Sequence, residues 1–178
     1  ALNNLQEIVA CSDAVMVGSG FLPYSKEQQA HRGGAVAGTT FYLLNVKDGT
    51  VYDSEDVLSD GTNETNSDCR VDNGNEGCKK MKNALQTDPV ATGPADSRFV
   101  TKSYIGDLDG NVWRFDIGLN TSNNPIISAR TKLYASGSDQ PIFNSMATVN
   151  VGGTQQYLFF GTGSDLLPQT DKDTTYRL

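Results

Sequence analysis

The sequence predicts a mainly β protein made of repeated antiparallel hairpins, and three observations carry that expectation. Its polar fraction is dominated by Gly, Asn, Ser, Thr and Asp, residues that supply the positive φ and local hydrogen bonds of tight turns. Short β-branched and aromatic runs lie between those turn residues, as strands require. An apolar strand that ends in Gly plus a small or acidic residue recurs three times.

The chain begins with a short helical candidate, Leu2 to Val9. The first repeat follows as Ala14-Val-Met-Val-Gly18-Ser19, answered by Thr40-Phe-Tyr-Leu-Leu-Asn-Val46 and a Lys47-Asp48-Gly49-Thr50 turn. Residues 54–98 then break the pattern. They are polar, hold Cys69 and Cys78, and contain a second helical candidate from Cys78 to Gln86, with Met81 and Leu85 four apart. This stretch is expected to be an inserted surface excursion, and loops of that size carry function more often than short ones.

The second repeat is Lys102-Ser-Tyr-Ile-Gly106-Asp107, a Leu108-Asp109-Gly110-Asn111 turn, and Val112-Trp-Arg-Phe-Asp-Ile117. Asp-Gly between alternating apolar runs is the strongest short-range hairpin signal. The alternation puts Trp113, Phe115 and Ile117 on a core face and Val112, Arg114 and Asp116 on the other. A further hairpin runs from Asn144 to Val151, through a Gly152-Gly153 turn, to a strand ending at Phe160. That strand, Gln156-Tyr-Leu-Phe-Phe-Gly161, begins the third repeat, whose partner is expected in or beyond the last residues.

A length of 178 residues fits a single domain spanning 1–178. The formal charge of −7 and pI near 4.6 argue against nucleic acid, which needs a basic stripe. The Lys79, Lys80, Lys82 cluster reads as a solvated face. No apolar run approaches the roughly 20 residues of a membrane span. With neither a starting Met nor a secretory leader, the chain reads as a processed product or an excised piece.

Of three cysteines, Cys69 and Cys78 flank a loop rich in Asn, Asp and Gly. Zinc sites usually want tighter spacing and four ligands, and His31 is the sole histidine. A Cys69–Cys78 disulfide is the better reading, and it implies an oxidising, extracytoplasmic compartment. Cys11 is then left buried or paired with another chain.

Hairpin units too small to bury their own faces stack radially into β-propellers, at about 40 to 50 residues per blade. Discounting the insertion, roughly three blades remain, whereas closed rings typically have about 4–8. The expected fold is therefore a partial β-propeller with quinoprotein-like blades of antiparallel sheet. It is either a fragment of a larger ring or an open stack with exposed sheet edges.

The segment Tyr104-Ile-Gly-Asp-Leu-Asp-Gly-Asn-Val-Trp-Arg-Phe-Asp-Ile117 resembles the blade hairpin of the PilY-type proteins, type IV pilus biogenesis factors and tip adhesins. The resemblance continues at Gln140-Pro-Ile142, which looks like the start of the following strand, and at Tyr157-Leu-Phe-Phe-Gly-Thr-Gly163. Val15-Met-Val-Gly-Ser-Gly20 and Thr40-Phe-Tyr-Leu-Leu-Asn-Val-Lys-Asp-Gly-Thr50 look like the preceding blade. The order of these matches, which span most of the chain apart from the insertion, gives the resemblance its specificity. It implies a bacterial, pilus-associated or cell-surface propeller that promotes pilus assembly, meets minor pilins, or attaches to host or abiotic surfaces. One feature departs from the family. Where its calcium loop would stand, Pro94-Ala-Asp-Ser-Arg-Phe-Val-Thr-Lys-Ser103 holds a single carboxylate, so the calcium switch does not carry over.

Two other sets of oxygen side chains are calcium candidates. Asp107, Asp109 and Asn111 alternate as the start of a calcium loop does, although Gly110 and Gly118 stand where that loop type differs. The competing reading makes Asp109-Gly110 a plain hairpin turn, with Asp107 hydrogen-bonded to its own loop. In the Cys69–Cys78 loop, Asp72, Asn75 and Glu76 cluster with Asp68 and Asn73; such a cluster is also an ordinary soluble turn. A third set, Asp165, Asp171 and Asp173, is weaker.

Catalysis finds little footing. His31 lies in a Gly-containing stretch, and Ser19 and Ser164 lack the nucleophile elbow. A quinoprotein enzyme would want a vicinal cysteine pair and a full ring. Strand aromatics (Phe41, Tyr42, Trp113, Phe115, Tyr157, Phe159 and Phe160) are expected mostly in the core. Phe21 and Tyr24, in a loop, are candidates to anchor a partner. The sequons at Asn63 and Asn120 matter only in a glycosylating source. The favoured function is a non-catalytic binding or assembly module; the alternatives are a scaffold pairing through open sheet edges and, less favoured, a quinoprotein-like enzyme.

Overall fold

A computed structural model describes residues 13–20, 38–57, 84–94, 99–108, 110–135, 140–151 and 155–163. These residues are mainly β and form nine strands in three antiparallel sheets, none closed. The first sheet holds β1 (Ala14–Gly18), β2 (Thr40–Asn45) and β3 (Val51–Asp56). The second holds β4 (Val90–Thr92), β5 (Lys102–Gly106), β6 (Asn111–Leu119) and β7 (Pro125–Ala135). The third is the hairpin of β8 (Ala147–Val151) and β9 (Gln155–Phe159). Within each sheet the strands are neighbours in chain order, a pure up-and-down meander.

The turns follow their residues. Between β2 and β3, Gly49 takes φ +73° while Asp48 accepts from the Thr50 amide and hydroxyl at 3.0 and 2.7 Å. These bonds hold the exposed Asp48 carboxyl below its ordinary pKa. Between β6 and β7, Asn120 Oδ1 accepts from the amides of Ser122 and Asn124. Asn123 meets the positive φ there, a conformation Asn tolerates.

The sheets stack face against face. Phe41 and Leu43 of β2 pack with Ile105, Trp113 and Phe115 of the second sheet. The Phe41 and Phe115 rings lie parallel, with centroids 4.1 Å apart. Polar contacts reinforce this joint: Ile127 N donates to Asp53 Oδ2 at 2.8 Å, and Arg130 pairs with Glu55 at 3.2 Å. Tyr104 and Val112, on the opposite face of the second sheet, join Ile142 and Met146 against Leu158 and Phe160 of the third. Tyr104 Oη donates to Gln156 Oε1 at 2.8 Å across that joint.

Several expectations change. The Val112 face of β6 is core as well, because the second sheet is covered on both sides. Leu85 is no helical residue. Its amide donates to Gly38 O and its carbonyl accepts from Gly20 N, and its side chain is fully buried. No helix occurs among the described residues, and Leu2 to Val9 lies outside them. Tyr157 and Phe159 are exposed, since they lie on the face of β9 opposite the joint. The ends of the 54–98 stretch belong to the sheets through β3 and β4, while its Cys69–Cys78 loop lies outside the described residues.

Candidate functional site

The most elaborate polar construction among the described residues is built on Asp107, just after β5. Its side chain is fully buried. A carboxylate out of water needs donors to replace hydration, and three N–H groups supply them. Asn111 N and Nδ2 donate at 2.8 and 2.9 Å, and Trp113 Nε1 donates at 2.7 Å. Asp107 N donates to Asn111 O, and Gly110, with φ +78°, donates through its amide to Asp107 O. The carbonyl of Asp107 also accepts from Ile142 N at 3.0 Å. One residue therefore closes the β5–β6 turn, orients the core tryptophan and pins the segment that leads into the third sheet.

That segment has a counterpart. Leu85 and Ile142 each stand five positions before the first residue of a strand, β4 and β8 respectively. Both are fully buried. Each crosses the glycine that ends a strand of the preceding sheet. A Cβ on Gly18 would come 2.3 Å from Leu85 O, and one on Gly106 would come 2.4 Å from Ile142 Cγ2. The residues just before them, Ala84 and Pro141, accept from Leu108 N at 3.1 Å and Gly163 N at 2.7 Å. Leu108 and Gly163 each lie two residues past a repeat glycine, Gly106 and Gly161. The same joint is built twice.

No family model, no curated protein and no solved structure matches the chain.

Of the expected site residues, Asp107 and Asn111 are brought together as acceptor and donor. A cation on the Asp107 oxygens would have to displace the three N–H groups already there. Among the described residues no group of three or more His, Cys, Asp or Glu side chains gathers to hold a metal. Asp109, Asp72, Asn75, Glu76, Cys69, Cys78, Phe21, Tyr24 and His31 lie outside the described residues. Ser19 is a backbone cap, its Oγ accepting from Thr40 N at 2.8 Å. Gln140-Pro-Ile142 is the crossing segment, with Ile142 in a lone parallel bridge to Gly163, and the strand starts only at Ala147.

The chain pattern of Leu85 and Ile142 escaped the sequence reading. Its signal was the shared spacing between one buried aliphatic residue and the small residues of the next strand, Val90-Ala91-Thr92 and Ala147-Thr148-Val149. That spacing becomes visible only once Gly18 and Gly106 are known to be crossed.

Proposed function

We propose that the three sheets are consecutive propeller-type blades of a non-catalytic binding and assembly module, acting on the outside of a bacterial cell in a type IV pilus system. The twice-built joint carries the reading. A buried aliphatic residue crossing the terminal glycine of the previous sheet is what a repeated, radially stacked unit requires, because each sheet must dock on its neighbour in the same way. The four-stranded meander of the second sheet is one whole blade on this reading, and its β5–β6 hairpin is the segment that resembles the PilY-type proteins. The described core is occupied by packing, and the buried carboxylate Asp107 is used for architecture. The surface of the module is therefore assigned to partners such as minor pilins. A Cys69–Cys78 disulfide and a calcium ion held by the intervening loop belong to the same proposal.

Immunogold labelling of intact source cells, with piliation counted in a strain lacking the chain, tests this setting. Label on pili or the cell surface, with fewer pili in the deletion strain, is the expected result. Label confined to the cytoplasm, with unchanged piliation and attachment, would refute it.

A further inference from the structure

The turn between β2 and β3 carries a reactive pair that its own hydrogen bonds hold apart. Asp48 precedes Gly49, and both are exposed. Glycine has no Cβ to shield its amide nitrogen, and a Cβ built on Gly49 would meet nothing within 4 Å. In such a pair the Gly49 nitrogen can attack the neutral Asp48 carboxyl. The N–Cγ bond forms, the Cγ–OH bond breaks, and water leaves with the amide proton, giving a succinimide. Water then opens the ring at Cγ to restore aspartate, or at the main-chain carbonyl to give isoaspartate. The neutral acid is the reactive form, because a carboxylate has no hydroxyl to release as water.

Two features of the turn work against ring closure. Asp48 Oδ1 accepts from the Thr50 hydroxyl at 2.7 Å and from the Thr50 amide at 3.0 Å. The hydroxyl bond first, and then the amide bond, hold the carboxyl below its ordinary pKa and so keep it ionised. The Gly49 N–H is also engaged, donating to Asn45 O at 2.8 Å. Both reacting groups must therefore give up hydrogen bonds before they can meet. The reaction would also reach beyond the turn. Isoaspartate routes the main chain through the side-chain carboxyl, adding one carbon to a turn that is flanked by the Leu44–Val51 pair. Strand β3 beyond it carries Asp53 and Glu55, which bond Ile127 and Arg130 of the second sheet.

We propose that Asp48–Gly49 is a latent isoaspartate site and that Thr50 is the residue that sets how fast it reacts. Modification there lengthens the turn that fixes the β2–β3 register, and so loosens the joint between the first and second sheets.

Incubation in mildly acidic buffer followed by peptide mapping tests it, since mapping separates Asp48 from the other Asp-Gly pairs at 60–61 and 109–110. The folded wild type should form isoaspartate at position 48 more slowly than the same chain in urea. Thr50→Val should speed the folded reaction by about 2- to 10-fold, the factor that one net hydrogen bond represents, and leave the rate in urea unchanged. Its pH profile should move as well, the fall in rate on ionisation coming at higher pH than in the wild type. Thr50→Ser, which keeps the hydroxyl, should retain the slow rate. Trp113 fluorescence checks that each variant folds. A folded wild-type rate equal to the rate in urea overturns the proposal, whatever the variants do. So does a Thr50→Val protein with wild-type rate and pH profile. A faster Thr50→Val reaction with an unmoved pH profile also overturns the role of Thr50, since loosening of the turn would then account for the change.

Discussion

Replacing Asp107 by Ala would leave the Trp113 indole N–H and two Asn111 N–H groups buried without their acceptor. Stranding buried donors costs about 1–3 kcal/mol, so Asp107→Ala should lower unfolding stability by at least that amount. Urea titration followed by Trp113, the single tryptophan, measures the loss directly. Because the carboxylate is satisfied by N–H donors, adding calcium or a chelator should leave the difference between wild type and variant unchanged. A calcium-dependent difference would restore the metal reading at this position, since a bound ion stabilises by mass action. Tyr104 offers a pH test at the other joint. Burial pushes its phenol above the ordinary value of 10.0, with Arg114 pulling it down and Asp116 pushing it up. The unfolded chain therefore releases this proton first as pH rises. Stability linked to Tyr104 is complete below pH 10.0 and is lost as pH climbs through the folded-state value. In an alkaline titration of phenolate absorbance, Tyr104→Phe should remove a component that titrates above 10.0, and the variant's stability should fall less steeply in that window.

At the scale of elements, the stacked pair Phe41 and Phe115 binds the first sheet to the second. Truncating either ring to Ala should cost about 3–5 kcal/mol. A double-mutant cycle should show a coupling of about 0.5–1.5 kcal/mol beyond the area lost, the range for aromatic pairs. Gly106→Ala should also destabilise, because its new Cβ would meet Ile142 Cγ2 and Cβ at 2.4 and 2.7 Å in a packed joint. These elements differ in how far they were legible. The β5–β6 and β8–β9 hairpins could be read because Asp-Gly and Gly-Gly turns join strand-like runs only a few residues apart, whereas β1 was matched to β2 only as two halves of one repeat and β3 only as far as the turn that leads to it. The burial of Val112 could not, since alternation marks which residues share a face and not how many faces are covered. Leu85 looked helical because Met81 lies four residues before it, yet its hydrogen bonds go to Gly20 and Gly38, far along the chain. Asp107 was legible only as a choice between a turn-forming and a metal-binding residue. Its bond to Trp113 decides how its oxygens are used, and that bond depends on the tertiary position of the indole.

For the whole molecule, the order of stability follows from how many faces each sheet has covered. A two-stranded hairpin is marginal in water alone, and β8–β9 is held by one face through Leu158 and Phe160. The second sheet is covered on both sides. Its β5 carries Ser103, Tyr104, Ile105 and Gly106 all buried. Amide exchange should therefore be slowest in β5 and the first half of β6, intermediate in β2, and fastest in β8 and β9, because local opening costs scale with buried contacts.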